Sequence, residues 1–466
     1  MHESGLTGPT WNIVRKLNQN LKAQIKTKDG LTREIRIKDS IRQGGVLSVI
    51  EYADVMDKIA KEIKNQNLGI KIDNNENKVG CLLWMDDVLL MADTPKELQK
   101  LLDTTERIAK KYHIEFGEPK SKIMVLGKNP NKNTGWKIGE QQMAITEDYK
   151  YLGEIINRKR SMKKQLSETR RKVEGALQTI LTVAGDPNLL GIQMETIWKL
   201  VETCIQPIAS YGSELWDLNK EEIAIANRTL NSILKRILMV PTSTPAEALY
   251  METGIEDLTS TMNNKRIGMY YRLNNTGSDL IRRFLNSEEP TSWKKKTETI
   301  IDKLQIDPNK TMTNQGKQLQ RRKTKTQITD DQVKRITETA ETKSKVRHLI
   351  LGIRDREDGK RPPYMNRLNR KQVSSIFKAR TRMLDVKNNY RGKHNDLRCR
   401  GYRTNDETQE HILNECMGIH DHQTTKVTNE NIFDENTENL KGVAMRIEKI
   451  MKKLLQSEAN NQIATR

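Results

Sequence analysis

Two adjacent carboxylates, Asp86 and Asp87, interrupt an otherwise apolar run that extends from Val79 to Ala92. Cys81-Leu82-Leu83-Trp84 leads into the pair and Val88-Leu89-Leu90 leads out of it. Two short strand-like segments meeting at a polar pair predict a β-hairpin with the acids at its tip. Neighbouring carboxylates repel one another, and apolar flanks add a desolvation penalty. A divalent cation removes both costs, and Mg²⁺ is commonly held by one or two carboxylates together with substrate phosphates. Asp is also frequent in plain surface turns, so the pair alone leaves that reading open.

Upstream lies Asp39-Ser40-Ile41-Arg42-Gln43-Gly44-Gly45-Val46-Leu47-Ser48, which runs into a helical pattern. Ser48 and Glu51 have capping-box spacing, and Val49, Ala53, Met56, Ala60 and Ile63 fall on one helix face. A Gln-Gly-Gly turn lets a backbone approach a ligand closely, with Arg42 and Gln43 ready to hydrogen-bond it. An ordinary loop and cap fits the same residues.

In this order the segments resemble the palm of a reverse transcriptase from a non-LTR (LINE-type) retrotransposon. Arg42 to Ser48 is similar to motif B, and Trp84-Met85-Asp86-Asp87 to motif C. Lys120-Ser121-Lys122, after Phe116-Gly117, is similar to motif D. Tyr149-Lys150-Tyr151-Leu152-Gly153 is similar to motif E. Each motif is weak alone, but four in the family's order between positions 42 and 153 form a specific signal. The resemblance implies an α+β fold: a partial palm, an antiparallel sheet with helices, followed by a mostly helical thumb and C-terminal region. It implies RNA-directed DNA polymerase chemistry, a two-metal nucleotidyl transfer with Mg²⁺ or Mn²⁺ on Asp86 and Asp87. Arg42, Gln43, Gly44 and Gly45 would line the nucleotide and template site. Lys120 would neutralise or protonate the leaving group. Tyr151, Leu152 and Gly153 would lead to the primer grip. The partners implied are an RNA template, a DNA primer or target and deoxynucleoside triphosphates.

The sequence departs from the family pattern in places. Gly45-Val46 stands where Cys-Pro is usual, Val49 where Pro is usual, Trp84-Met85 where an aromatic-Ala pair is usual, and Gly117 where Asn is usual. None of these removes a metal ligand. The family's motif A, a Phe-Asp segment that supplies a further ligand, has no counterpart before motif B. That stretch reads as Trp11 to Leu17 and then a hairpin, Leu21 to Lys38, turning at Asp29-Gly30. Its acids Glu3 and Asp29 lie at a terminus and in that turn. The expectation is a chain that starts after motif A and by itself has little or no polymerase activity.

The 466 residues allow two to four domains. Hydrophobic residues make up 35% and charged residues 30%, which is polar but sufficient for a core. A net charge of +20 and a pI near 9.6 favour a polyanionic partner, first of all nucleic acid. No apolar stretch reaches transmembrane length, and Met1-His2-Glu3-Ser4 has no signal-peptide pattern. Four cysteines in so long a chain argue against a disulfide scaffold. The expected location is intracellular, nuclear and cytoplasmic, without a membrane partner.

The domain expectation is a partial palm over 1–157, a helical thumb over 158–290, a basic linker over 291–345, a basic helical region over 346–395, a zinc-knuckle-like segment over 396–422 and a helical tail over 423–466. Thr94-Pro95-Lys96-Glu97 starts a helix whose Leu98, Leu101, Leu102, Ile108, Ala109 and Tyr112 share a face. Helices are expected from Lys163 to Leu181 and from Met194 to Cys204, with Pro207 a kink or end. Pro207 to Trp216 resembles the family's thumb signature. Arg170, Arg171 and Lys172 could meet nucleic acid there or form a solvated face. Residues 291–345 are low in apolar content, with Lys294-Lys295-Lys296 and Arg321-Arg322-Lys323, and read as flexible. Farther on, Arg367, Arg370, Lys371, Lys378, Arg380, Arg382 and Lys387 interleave with Tyr364, Phe377 and Tyr390. That mixture suits single-stranded nucleic acid, although the rings serve a core equally well.

Cys399, His411 and Cys416 resemble three ligands of the Cys-Cys-His-Cys knuckle that ends many non-LTR reverse transcriptases. Zn²⁺ would hold together a small segment with no core of its own. Tyr402 stands where the second ligand belongs, and His420 or His422 could complete the set. An eroded motif whose residues are simply packed is the alternative. For the whole chain, the alternative to a polymerase is a non-catalytic RNA- or DNA-binding protein derived from a retroelement, or a fragment of a decayed element.

Overall fold

The computed structural model describes residues 1–37, 45–72, 78–117, 119–127, 135–185, 192–287, 290–306, 314–350, 361–420 and 426–464. The chain divides into two compact units, Met1–Ser161 with Gly277–Pro290, and Met162–Thr276 with Thr291–Arg466. The architecture is α+β: small, mostly antiparallel sheets with helices in the first unit, and helices almost throughout the second.

The first unit opens with helix α1 (Gly8–Asn18), followed by a ladder in which Lys22-Ala23 pairs with Ile35-Arg36 and Lys26-Thr27 with Gly30-Leu31. Its turn is Lys28-Asp29 rather than Asp29-Gly30; Gly30 follows the turn with φ +121°. Helix α2 (Ser48–Asn65) buries Met56, Ile59 and Ile63. Ser48 is its first helical residue and Leu47 its cap, so the expected capping box is not formed there. Glu51 instead accepts a hydrogen bond from Asn18 Nδ2 at 2.6 Å, tying α2 to α1.

Strands β1 (Cys81–Trp84) and β2 (Asp87–Leu90) form an antiparallel hairpin. Successive side chains of a strand point to opposite faces. Cys81, Leu83, Val88 and Leu90 therefore turn inward, onto Met56, Ile59 and Ile63 of α2 and Leu101 and Ile108 of α3 (Pro95–Lys111). Each fully buried aliphatic side chain contributes about 1.5–3 kcal/mol, so this small cluster is enough to fix the hairpin's face. Thr94 caps α3 by accepting from Glu97 N at 3.2 Å. The Glu97 carboxylate pairs with Lys78 at 2.7 Å, which ties the helix to the strand before β1. A second cluster, Leu102, Ile123, Trp136, Ile138 and Met143, backs the other side of α3. Strands β3 (Asp148–Tyr151) and β4 (Glu154–Asn157) form a further hairpin.

The second unit is built on one continuous apolar core. It contains α4 (Lys163–Ala184), α5 (Met194–Leu200), α6 (Lys220–Leu238), α7 (Ala246–Thr253), α8 (Leu258–Thr276), α9 (Ser292–Lys303), α10 (Asn314–Glu341), α11 (Arg370–Arg380) and α12 (Thr437–Ala464). Pro207 lacks an N–H, and the chain absorbs this with a π turn over Val201–Ile205 before the short helix Gln206–Ala209. Trp216 is buried, and the Arg266 guanidinium donates to its carbonyl.

Two sequence expectations need correction here. Residues 291–345 are largely helical: α9 and α10 pack on α8, and α10 also on α7. Their contact stripe is thin and partly polar, with Thr297, Thr324 and Gln332 buried beside Ile301 and Ile328. Gln332 accepts from Asp257 N at 3.0 Å and donates to Ile255 O at 3.1 Å, work that an apolar count does not register. Tyr364 and Phe377 are fully buried and so offer no face for base stacking. Arg380, also buried, pairs with Glu252 at 2.9 Å, and the Tyr364 hydroxyl donates to the same carboxylate. Arg370 donates to the Arg236 and Ile237 carbonyls, both at 2.8 Å, closing the C-terminus of α6. Among the described residues, no helix is long and apolar enough to cross a membrane.

Candidate functional site

The pairing of Trp84 with Asp87 leaves Met85 and Asp86 as the two turn residues of the β1–β2 hairpin. Met85 takes φ +53°, a conformation that costs a non-glycine residue energy and that clusters at functional sites. Asp86 thus lies at the apex and Asp87 opens β2. Both are exposed, and among the described residues neither carboxylate forms an ion pair. Asp87 shares the outward face with Leu82, Trp84 and Leu89; Trp84 is 60% exposed.

Three tyrosines report on what surrounds the tip. Tyr52, one turn into α2, has its phenol held above the usual range by burial and then by the Asp86 charge. Tyr149 and Tyr151 of β3 are raised in the same way, by burial and then by Asp87. The acid tip therefore faces the first turn of α2 on one side and the β3–β4 hairpin on the other. Gly45 lies just before that first turn of α2, and its carbonyl accepts from Ser48 N at 3.2 Å. Arg42, Gln43 and Gly44 fall outside the described residues.

Lys120 enters through its backbone. The Tyr149 hydroxyl donates to Lys120 O at 2.8 Å, latching the Gly117–Ser121 turn to β3. The Lys120 side chain is exposed. Beyond Tyr151, Leu152 and Gly153 have φ of +48° and +89°, a two-residue turn of the type favoured in hairpins. Motif C, motif E, the backbone of motif D and the helix that follows motif B are thus gathered around one pair of carboxylates. Tyr52 was not legible as part of this site. It lies off the apolar series used to read α2, and only the fold brings it to Asp86.

The described residues contain one candidate cluster of three or more metal-ligating side chains: Cys399, His411 and Cys416, all buried, with ligand atoms within 4.8 Å of one another. His411 and Cys416 converge because a π turn spans His411–Glu415, and Cys416 N donates to His411 O at 2.9 Å. An offset of five residues would diverge on an α-helix; the wider turn brings it back into line. The sulfurs are 3.5 Å apart. Gly401 N donates to Cys399 Sγ at 3.3 Å. The hydrogen bond from Cys416, helped by the N–H groups of Tyr402 and Gly401, holds the Cys399 thiol below its usual range. The same contact and burial push Cys416 up, so the pair shares one proton. Both ring nitrogens of His411 lack a hydrogen-bond partner, although Glu415 Oε2 lies 3.6 Å from Nδ1. Buried thiolate and imidazole donors with unspent lone pairs suit a soft divalent ion such as Zn²⁺. The segment is not coreless, as the sequence suggested. Cys399, Ile412, Leu413, Cys416 and Ile419 belong to the main core of the second unit, and Arg400 bridges Glu407 and Glu458 of α12.

A carboxylate-tipped hairpin, a helix behind it and a second tyrosine-bearing hairpin beside it define a polymerase-type palm. Residues 7–156 match the reverse transcriptase (RNA-dependent DNA polymerase) family, so the chain is a reverse-transcriptase palm domain followed by a helical C-terminal region. Over 156 residues, 31% of this chain, it is 26% identical to the retrovirus-related Pol polyprotein of the type-1 retrotransposable element R2 from Nasonia vitripennis. Over 170 residues it is 23% identical to an uncharacterized transposon-derived protein of Caenorhabditis elegans. The matches span 15% and 60% of those relatives' lengths.

Proposed function

We propose that this chain is a retroelement-derived part of an RNA-directed DNA polymerase in which Asp86 and Asp87 hold divalent metal, Mg²⁺ or Mn²⁺, where a primer is extended. The observation that carries this reading is the unpaired acid tip set between the start of α2 and Tyr149 and Tyr151. Hard, exposed carboxylates leave room for the water and phosphate oxygens that complete a Mg²⁺ shell. When bound, the ions activate the primer 3′-hydroxyl and stabilise the leaving pyrophosphate. The chain's own residues position the reactants. The backbone around Gly45 approaches the nucleotide, Tyr151 to Gly153 guide the primer strand, and Lys120 supplies positive charge or a proton to the leaving group.

Residues 1–41 hold no Phe-Asp motif, so this reading assigns only two carboxylates to the ions. We expect the 466 residues alone to extend a primer on a homopolymer template slowly or not at all. Mn²⁺ binding is the more direct test. Replacement of bound Mn²⁺ by Fe²⁺ and peroxide should cleave the backbone near residues 84–88, and Asp86→Asn with Asp87→Asn should abolish the cut. Cleavage that is indifferent to both substitutions would remove the metal from the tip.

The charge of +20 and the exposed Arg321, Arg322, Lys323 and Lys325 on α10 support a second element, RNA or DNA binding that needs no chemistry. Filter binding should weaken steeply with salt and depend little on sequence. Steep salt dependence without nucleotide incorporation would favour a purely binding protein. We also assign Zn²⁺ to Cys399, His411 and Cys416. Because the surrounding core is already extensive, its removal should loosen residues 396–420 rather than unfold the unit.

A further inference from the structure

A zinc site of two thiolates and one imidazole lacks a fourth ligand, and the sequence position that would supply it holds Tyr402. Tyr402 is 52% exposed and turned away from the buried cluster. We infer that the fourth ligand is Nδ1 of His420, making the site Cys₂His₂; this rests on the zinc reading above. His420 sits one helical turn beyond Cys416, its backbone N–H donating to Cys416 O at 2.9 Å. Residues at that offset project from the same side of a turn. Its Nε2 meets Ile412 O at 2.9 Å. The ring is therefore held against the same π turn that carries His411.

The hydrogen bond also fixes the tautomer. A carbonyl accepts only from N–H, so Nε2 carries the proton and Nδ1 the lone pair. Nδ1 is buried and has no hydrogen-bond partner. An imidazole with one nitrogen bonded to a backbone carbonyl and the other free is the usual state of a metal-binding histidine. The competing donors are weaker candidates. Glu415 is 63% exposed and lies beside His411 Nδ1, where it can orient that ring and leave Nε2 for the metal. The Asn414 amide oxygen is buried without a partner, but a neutral amide is a poor match for an ion already bound by thiolates. Space around the sulfurs is tight. A Cβ at Gly401 would come within 3.1 Å of Cys416 Sγ, and one at Gly418 within 2.6 Å of Gly401 O. A ligand arriving from residues 417–420 thus needs little chain movement.

The test is Co²⁺ titration of the full-length chain, read by thiolate charge-transfer and d–d bands, with competition by Zn²⁺. Wild type should give a tetrahedral spectrum with two thiolates. His420→Ala should weaken binding at least about 10–100-fold, the scale set by loss of even an outer partner of a ligating histidine, and should alter the d–d bands. His420→Asn keeps a donor for Ile412 O but lacks the ring lone pair, so it should behave like His420→Ala while the fold stays intact by circular dichroism. Tyr402→Phe should change nothing, and Tyr402→Cys in the His420→Asn background should restore affinity with a third thiolate band. Wild-type affinity and spectrum in His420→Asn, or their loss in Tyr402→Phe, would overturn the assignment and leave the three-residue zinc site standing. Absence of any thiolate–Co²⁺ band in wild type would instead remove the zinc reading itself.

Discussion

The acid tip of the first unit stands in solvent on a two-stranded hairpin, whereas the Cys399–His411–Cys416 cluster of the second is enclosed by an extensive apolar core. The contrast follows from the ligands. Carboxylates that serve Mg²⁺ must leave positions for water and phosphate, so their neighbours can only flank them. Thiolates and imidazole form a closed shell and tolerate burial once backbone N–H groups support the charge. A buried carboxylate in the second unit, Glu252, has no such metal and is held by Arg380 and Tyr364 instead. An exposed acid pair can therefore lose its charge at little cost to folding, while a buried acid or thiol cannot.

The sharpest break of that comparison sets Glu252 against Asp86. Glu252→Ala leaves the buried Arg380 guanidinium without its counter-charge, and roughly 3–5 kcal/mol of stability should go in urea denaturation. Asp86→Asn and Asp87→Asn should leave the midpoint nearly where it was, since they relieve repulsion between exposed groups. An Asp86→Asn variant as damaged as Glu252→Ala would mean that the tip is a structural element rather than an open site.

Next in size is Gly418→Ala. Its added Cβ would lie 2.6 Å from the Gly401 carbonyl oxygen, a backbone atom that cannot step aside cheaply. Overpacking of this kind costs about 1–3 kcal/mol. The variant should lose Zn²⁺ affinity together with stability, and chelator competition measures the first. Unchanged affinity would show that the two loops are looser around the sulfurs than the geometry requires.

A smaller effect belongs to the first unit. Tyr149→Phe deletes the hydrogen bond to Lys120 O, worth about 0.5–1.5 kcal/mol at most in a partly exposed setting. Hydrogen exchange should rise in the Gly117–Ile123 segment before it rises in β1 or β2. Uniform protection across the segment would argue that motif D is held by other contacts.

The two regions also differ in how far the sequence disclosed them. The acid hairpin is continuous in sequence: apolar alternation sets its inward face, and the interruption by Asp86-Asp87 sets its turn. The start of α3 was equally readable from Thr94 and Pro95. The Cys/His cluster was readable in its ligands but not in its geometry, because His411 and Cys416 meet only through a π turn that helical periodicity does not anticipate. Helices α9 and α10 were missed because buried Thr and Gln take positions that an apolar count expects Ile or Leu to fill. Tyr364 and Phe377 looked like stacking rings because basic residues surround them in sequence. In space, one of those residues, Arg380, is a core partner and another, Arg370, is a helix cap.

The finest measurement returns to the tip. In the folded chain Tyr52, Tyr149 and Tyr151 hold their protons above the ordinary phenol range. A group whose folded pKa is raised stabilises the fold fully below its unfolded pKa, near 10 for tyrosine, and the contribution is lost as pH rises through the folded value. Part of each rise comes from one named carboxylate. Asp87→Asn should therefore move the titrations of Tyr149 and Tyr151 downward and leave Tyr52 in place, while Asp86→Asn should do the reverse. Mg²⁺ or Mn²⁺ at the tip neutralises both charges, so a saturating ion should lower all three at once in ring-labelled NMR titrations. Should Asp87→Asn leave Tyr149 and Tyr151 unmoved, the acid tip does not face the β3–β4 hairpin. Should the substitutions act as expected while Mg²⁺ does nothing, the carboxylates face those rings but hold no metal, and the first unit would keep the shape of a palm without its chemistry.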